Sequence, residues 1–236
     1  MHAIGTDIWK LDGKPLRLGG GVHMPLSSTV IRLPDRSLLV YSPVDIDDAQ
    51  AAALATLGEV AHVVAPNLFH HLYVAKAAAR WPRATLHATP GLASKRADLA
   101  FHRELGSDLD PALRDAIDVE VIGGAPKISE SVLFHRPSGT LVCADFVFHV
   151  TAPANLRTRM VLAMMGVGGR ELKQSRLWRL LARDRSLVRA SIDRVLQWPI
   201  ASISPVHGDA VTMDAARLAP RLSRSYGGRV APALAA

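Results

Sequence analysis

The sequence predicts an α/β protein in which mixed β-sheets are covered by helices, and two observations carry that expectation. Short apolar runs joined by Pro, Gly and Asp turns alternate along the chain with alanine- and leucine-rich stretches of helical period. Three of the apolar runs also end in side chains that can hold a metal. Val63-Val64-Ala65 runs into Pro66-Asn67-Leu68-Phe69-His70-His71, Leu141-Val142-Cys143-Ala144 ends at Asp145, and Ile200 to Val206 ends at His207-Gly208-Asp209. Strand ends that deliver imidazoles and a carboxylate are where such folds place their sites.

Taken in order, Thr6 to Leu11 and Pro15 to Leu18 read as strands around an Asp12-Gly13-Lys14 hairpin turn. Ser28 to Leu33 and Ser37 to Tyr41 form a second pair around Pro34-Asp35-Arg36. Asp45 to Leu57 reads as a helix, with Asp47 and Asp48 suited to its first turn and Gly58 to its end. Val60 to Val64 is an apolar strand, Leu72 to Arg80 a helix that stops before Trp81-Pro82, and Thr85 to Ala88 a short strand. Pro111 to Ala116 is a brief helix and Val119 to Ile122 a strand. Ser131 to Arg136 and Thr140 to Ala144 pair around Pro137-Ser138-Gly139. Ala154 to Trp198 turns helical, with Leu177, Leu180, Leu181, Val188, Ile192 and Val195 three and four apart. Ile200 to Ser204 is a strand and Met213 to Tyr226 the final helix. Hairpins give antiparallel pairs and helix-linked strands give parallel ones, so the sheets are mixed. The apolar segments are evenly spread, which predicts one domain over residues 1–236. Within it, 154–198 forms a basic helical insertion over the cleft, and 227–236 is a frayed tail.

Composition narrows the class. Apolar residues make up 49% of the 236 residues and charged ones 21%, as in ordinary globular proteins. One cysteine, Cys143, excludes an internal disulfide. The N-terminus lacks the basic and apolar regions of a signal peptide, and no apolar stretch is long enough to span a bilayer, so a cytoplasmic location is expected. Residues 157–194 carry ten Lys or Arg against three acids, a net +7 that equals the net charge of the whole chain. With few aromatics and no nucleic-acid motif, this excess does not indicate nucleic-acid binding. It favours an acidic small-molecule substrate or partner, with peripheral contact to anionic lipid as the alternative.

The strand-end residues and their spacing resemble the metallo-β-lactamase-like superfamily, in a divergent branch with a Pro-Asn-x-x-His-His form of the signature. The resemblance covers roughly residues 6 to 226 and implies a four-layer αββα sandwich with its site along one edge of two packed sheets. Pro66 and Leu68 stand where the signature has its first two histidines, and an intermediate histidine is missing near Pro126 or Lys127. The ligands of one metal are therefore absent. Those of the other correspond to His70, His71, Asp145 and His207, with a histidine in place of one aspartate.

Three imidazoles and a carboxylate suit one divalent ion, zinc foremost, with iron or manganese as alternatives. The resemblance then implies a mononuclear hydrolase using metal-activated water, with Asp145 as ligand and proton acceptor. Loss of the first metal's ligands argues against β-lactam hydrolysis. The competing expectation is a non-catalytic scaffold with a structural or vestigial site and a basic surface for an anionic partner. Asp209 is expected to orient a ligand imidazole or to cap the helix before Met213, and Asn67 to cap the turn at Phe69 or orient substrate. Lys95 reads as a solvated lysine, with holding an anionic group as the alternative, and His135 as a surface or core residue, with lining the site as the alternative. The remaining histidines read as packed or capping residues. Met160 to Met165, followed by Gly166-Val167-Gly168-Gly169, reads as a movable apolar lid or a homodimer contact.

Overall fold

A computed structural model describes residues 1–223 and Tyr226; the expected tail and the last turn of the final helix lie outside the described residues. Two mixed sheets dominate. The first has seven strands: β1 (His2–Gly5), β2 (Ile8–Asp12), β5 (Ser27–Arg32), β6 (Leu38–Tyr41), β7 (Val60–Ala65), β8 (Thr85–Ala88) and β9 (Arg103–Glu104), in that spatial order. Its hairpin half is antiparallel, and β6, β7, β8 and β9 are parallel. The second has five: β10 (Ile117–Val121), β11 (Ser131–His135), β12 (Thr140–Cys143), β13 (Ser202–Pro205) and β14 (Val211–Thr212). In it only β12 and β13 run parallel. A small ribbon pairs β3 (Leu16–Arg17) with β4 (His23–Met24).

One expected hairpin is not formed. The chain does not turn back at Asp12-Gly13-Lys14; β2 pairs instead with β1, through a turn at Thr6-Asp7, and with β5. Gly13 is a packing position rather than a turn residue. A Cβ there would lie 2.6 Å from Val44 Cβ, and its N–H donates to Leu26 O.

Helices cover both outer faces. Helix α1 (Asp48–Ala55) is capped by Asp47 and Gln50 in a reciprocal capping box, and α2 (Val74–Arg80) packs on β7. Between β8 and β9 lies α3 (Leu92–Lys95). The expected single helical region becomes three helices, α4 (Leu156–Met164), α5 (Arg176–Leu181) and α6 (Arg185–Val195), started by Asn155, Ser175 and Asp184. Helix α6 lies against β10 and against α7 (Ala215–Ser223).

The main apolar core fills the space between the sheets, where Ile31, Leu39, Val64, Leu133 and Val142 are fully buried, and continues on the outer face of the first sheet through Val30, Val40 and Val63. A second core joins the outer face of the second sheet (Leu141, Cys143, Ile203) to Trp178, Val188 and Ile192. Cys143 therefore lies on the helix side, where burial pushes its thiol pKa up and leaves it a small hydrophobe.

Between the sheets at one edge sits a polar seam. Ser27 N and Oγ both donate to Val206 O, Thr29 Oγ1 lies 2.9 Å from Ser204 Oγ, and the Lys10 ammonium donates to Pro205 O. Lys10 is only 2% exposed, and burial lowers its pKa to about 8 against the opposing pull of Asp12. The unfolded value is near 10.4. Between those values the unfolded chain binds more protons than the native one, so this contribution to stability rises with pH. Relative to Lys10→Met, the wild type is expected to gain about 3 kcal/mol of unfolding free energy from pH 7 to 10.5. Urea titrations at several pH values check this; a wild-type-to-variant difference independent of pH would refute it.

Candidate metal centre

Parallel strands converge at one edge of the molecule, and residues just past their C-terminal ends build the site. Ser42 comes after β6, the turn 66–73 after β7, Asp145 after β12, and His207 after β13. Backbone bonds clamp that edge: Ser131 N donates to Pro66 O, and Leu68 N to Ile128 O. Pro66 and Leu68 are thus tied through their main chains to the 128–131 segment at the start of β11.

Three of the expected ligands meet. His70 Nε2 lies 3.3 Å from Asp145 Oδ2, His207 Nε2 lies 3.3 Å from Asp145 Oδ1, and the two imidazole Nε2 atoms are 3.1 Å apart. Bonds of about 2.0–2.1 Å in a tetrahedral zinc site separate donor atoms by roughly 3.3 Å, so this donor set fits such an ion. Each ligand is held from behind. His207 Nδ1 donates to Pro25 O at 2.8 Å, which leaves the lone pair on Nε2. His70 Nδ1 lies 3.0 Å from Ser42 Oγ. Ser42 has a φ of 53°, a backbone region serine seldom occupies, and such strain gathers at functional sites. Asn67 Oδ1 accepts from Phe69 N and His70 N, both at 2.8 Å, while its Nδ2 donates to Asp145 Oδ2 at 2.8 Å. The cap expected of Asn67 is therefore also the brace of the carboxylate. Gly208 is demanded by the close approach of the 149–150 segment: its φ is 104°, and a Cβ would fall 2.0 Å from His149 O.

Electrostatics agree with the geometry. Burial opposes the charge on Asp145, but the imidazoles of His70 and His207 outweigh it, and the carboxyl is held well below the usual carboxylate range. Behind it lies Glu130, fully buried. Its Oε1 accepts from Ala144 N (2.9 Å) and Phe146 N (2.8 Å), the residues on either side of Asp145, and its Oε2 accepts from Trp178 Nε1 (3.2 Å). Burial and the charge of Asp145 push the Glu130 pKa up to about 8 against those donors.

The other expected participants stand elsewhere. His71 is not in the group; its Nδ1 lies 3.0 Å from Arg96 Nη1, because the turn at 69–72 sends consecutive side chains apart. Asp209 does not orient His207, a task the Pro25 carbonyl performs; it is exposed and accepts from Thr151 Oγ1. Lys95 Nζ donates to Leu68 O and lies over the Phe69 ring. His135 sits at the far end of β11, bonded to Ser138 Oγ. Glu130, Ser42 and the Pro25 carbonyl carry no signal in the sequence that marks them as site residues. A second group that could hold an ion is His62, His87 and Asp110: His62 Nδ1 is 3.1 Å from His87 Nε2, and Asp110 accepts from Ala112 N.

The three ligands lie at the floor of a cleft of about 300 Å³, and Phe148 stacks on His207 at 4.8 Å. Apart from those ligands and two serines, its walls are mainly apolar, among them Met24, Leu26, Phe69, Tyr73, Leu177 and Trp178. No lysine or arginine lines it among the described residues.

A family model described as "Domain of unknown function (DUF4336)" matches residues 6–162, two thirds of the chain and the part holding the Asn67–His70 turn, Glu130 and Asp145. The chain belongs to the DUF4336 family. No curated protein matches its sequence. Solved structures do match the DUF4336 chain. DIM-1 metallo-β-lactamase exposed to ceftazidime is 15% identical with a TM-score of 0.62, over 95% of this chain and 94% of that one. A metallo-β-lactamase from Pontibacter korlensis is 15% identical with a TM-score of 0.62, over 94% and 96%. The metal-soaked Flv1 flavodiiron core from Synechocystis sp. PCC6803 is 13% identical with a TM-score of 0.63, over 94% of this chain and 59% of that one. At such identities the likeness establishes the fold, which is that of the metallo-β-lactamases. Fold and His/Asp group together fit a metal-dependent, hydrolase-like scaffold.

Proposed function

We propose that the protein is a metal-dependent hydrolase with one divalent ion, zinc foremost, held by His70, Asp145 and His207, acting on a substrate whose apolar part fills the cleft. The carrying observation is the close grouping of two imidazole Nε2 atoms, 3.1 Å apart and each 3.3 Å from one oxygen of Asp145, beside an apolar pocket. Three protein ligands leave room for water or substrate, as a catalytic site requires. A divalent ion bound there would lower the pKa of water and polarise an acyl carbonyl or phosphoryl oxygen.

The chain's own groups do the rest. Pro25 O and Ser42 Oγ fix the two imidazoles with their Nε2 atoms facing the cleft floor. Asn67 Nδ2 fixes Asp145 Oδ2, and a carboxyl held this far below its usual range serves as a ligand rather than as a proton acceptor. Phe69, Leu177 and Trp178 exclude bulk water from one side and bind apolar substrate surface. The expected preference for an anionic substrate has no support in the lining: the arginines of 157–194 stand outside the cleft.

Chain length tests the substrate side. With zinc-loaded protein, kcat/KM for p-nitrophenyl esters is expected to rise about fourfold per added CH₂, as burial of about 0.8 kcal/mol per methylene implies, until the pocket is full. Equal activity on acetate and octanoate esters would refute the apolar-pocket assignment. Absence of any metal-dependent turnover on ester, amide and phosphoester panels would refute the hydrolase reading.

A further inference from the structure

The apolar surface does not stop at the pocket. Of the ten large apolar side chains exposed among the described residues, three stand on the pocket rim (Leu18, Phe69, Leu72) and five on helices α4 and α5. On α4, Leu156, Met160 and Met164 are 60, 61 and 70% exposed, and Thr158 and Leu162 form the buried face. At 100° per residue the three exposed side chains make one stripe pointing away from the core. Arg157 and Arg159 then stand on opposite sides of its centre line, at roughly 60° and 100°. Both arginines are exposed. On α5, Leu180 is 79% exposed, and Leu177 is both exposed and part of the pocket wall. The two helices are joined where Arg176 N donates to Met165 O, and Met165 also lines the pocket.

A helix of nine residues is too short to cross a bilayer, and no helix of the described residues is long and apolar enough to do so. An outward apolar stripe with arginines on both flanks has the layout of a helix lying in a membrane interface. Its apolar side chains enter the acyl boundary while the guanidinium groups reach phosphates. Two further features choose lipid over a second copy of the chain. Residues 156–181 carry six Lys or Arg against one acid, and this excess would face itself across a two-fold contact, which disfavours self-association. The face also adjoins the cleft that ends at His70, Asp145 and His207, because Met165 at the end of α4 and Leu177 on α5 are part of its wall.

We propose that the α4–α5 face docks on an anionic lipid surface, so that the cleft opens toward the bilayer and draws the apolar part of its substrate from it. The docking stands on the surface alone; the substrate route rests on the hydrolase reading.

The test is cosedimentation of the full chain with vesicles of phosphatidylglycerol and phosphatidylcholine, against vesicles of phosphatidylcholine alone. The wild type is expected to bind the anionic vesicles and to be released by high salt. Replacing both stripe methionines (Met160→Asp, Met164→Asp) should lower partitioning about tenfold or more. Arg157→Gln with Arg159→Gln should lower it roughly 25-fold, each basic residue near an anionic surface being worth about fivefold. All four positions are exposed, and thermal unfolding checks that the variants fold. Asp145→Ala/His207→Ala protein should bind vesicles like the wild type, so docking is judged separately from hydrolysis. Absence of vesicle binding, or binding unchanged in the methionine variant, overturns the proposal. So does a wild-type dimer that the methionine variant dissociates without any lipid binding, which would assign the face to a second copy.

Discussion

Replacing His207 with alanine is expected to lower metal-dependent turnover by far more than about a hundredfold while leaving the protein folded. The reason is geometric. His207 Nε2 lies 3.1 Å from His70 Nε2 and 3.3 Å from Asp145 Oδ1, spacings that suit donors around a single ion. With His207 gone, an ion keeps only one imidazole and one carboxylate. Removing a group behind the ligands has a smaller effect. Ser42→Ala, which frees His70 Nδ1, should cost about 10–100-fold in metal affinity, the range seen for loss of an outer partner. Zinc titration by competition with a chromophoric chelator ranks the two. Equal losses, or no loss in His207→Ala, would contradict the assignment. The same titration on His71→Ala should match the wild type, since that ring faces Arg96.

The second large effect concerns stability. Glu130→Ala is expected to destabilise the fold by about 3–5 kcal/mol, because three buried donors, Ala144 N, Phe146 N and Trp178 Nε1, lose their acceptor together. Glu130→Gln keeps an oxygen for the two backbone donors but turns an amide toward the Trp178 N–H, so a loss of about 1–2 kcal/mol is expected. The effect should reach the site as well. The two backbone donors flank Asp145, and Trp178 belongs to both the pocket wall and helix α5. Glu130 thus ties the carboxylate's loop to the cleft wall. Urea unfolding combined with zinc titration reads both consequences. Unchanged stability in Glu130→Ala would rule out this bracing role.

Much of this architecture is legible in the sequence where local rules and tertiary packing agree. The β5–β6 and β11–β12 hairpins follow from alternating apolar residues around Pro-Asp-Arg and Pro-Ser-Gly turns. Strand β8 has the bounds its apolar residues indicate. The site's three ligands stand out because each closes an apolar run. Misreadings arise where the deciding partner is far away in sequence. Asp12-Gly13-Lys14 has the composition of a hairpin turn, yet Gly13 is there to let Val44 approach. His71 looks equivalent to its neighbour, and only the turn's course decides which imidazole faces Asp145. Asp209 is two residues from His207, but the imidazole is held by a carbonyl 182 residues away in sequence, which carries no side-chain signal. Glu130 is hidden for a similar reason: its acceptor role depends on backbone donors from another loop. An anionic substrate is suggested by arginine count alone, whereas no lysine or arginine lines the cleft among the described residues.

The most direct test is elemental analysis of untagged protein beside the Asp145→Ala/His207→Ala variant, each after reconstitution with zinc, iron or manganese and removal of loose ions. About one ion per wild-type chain and none in the variant is the predicted result. A wild type that retains no ion, or a variant that retains as much, would contradict a metal centre at His70, Asp145 and His207.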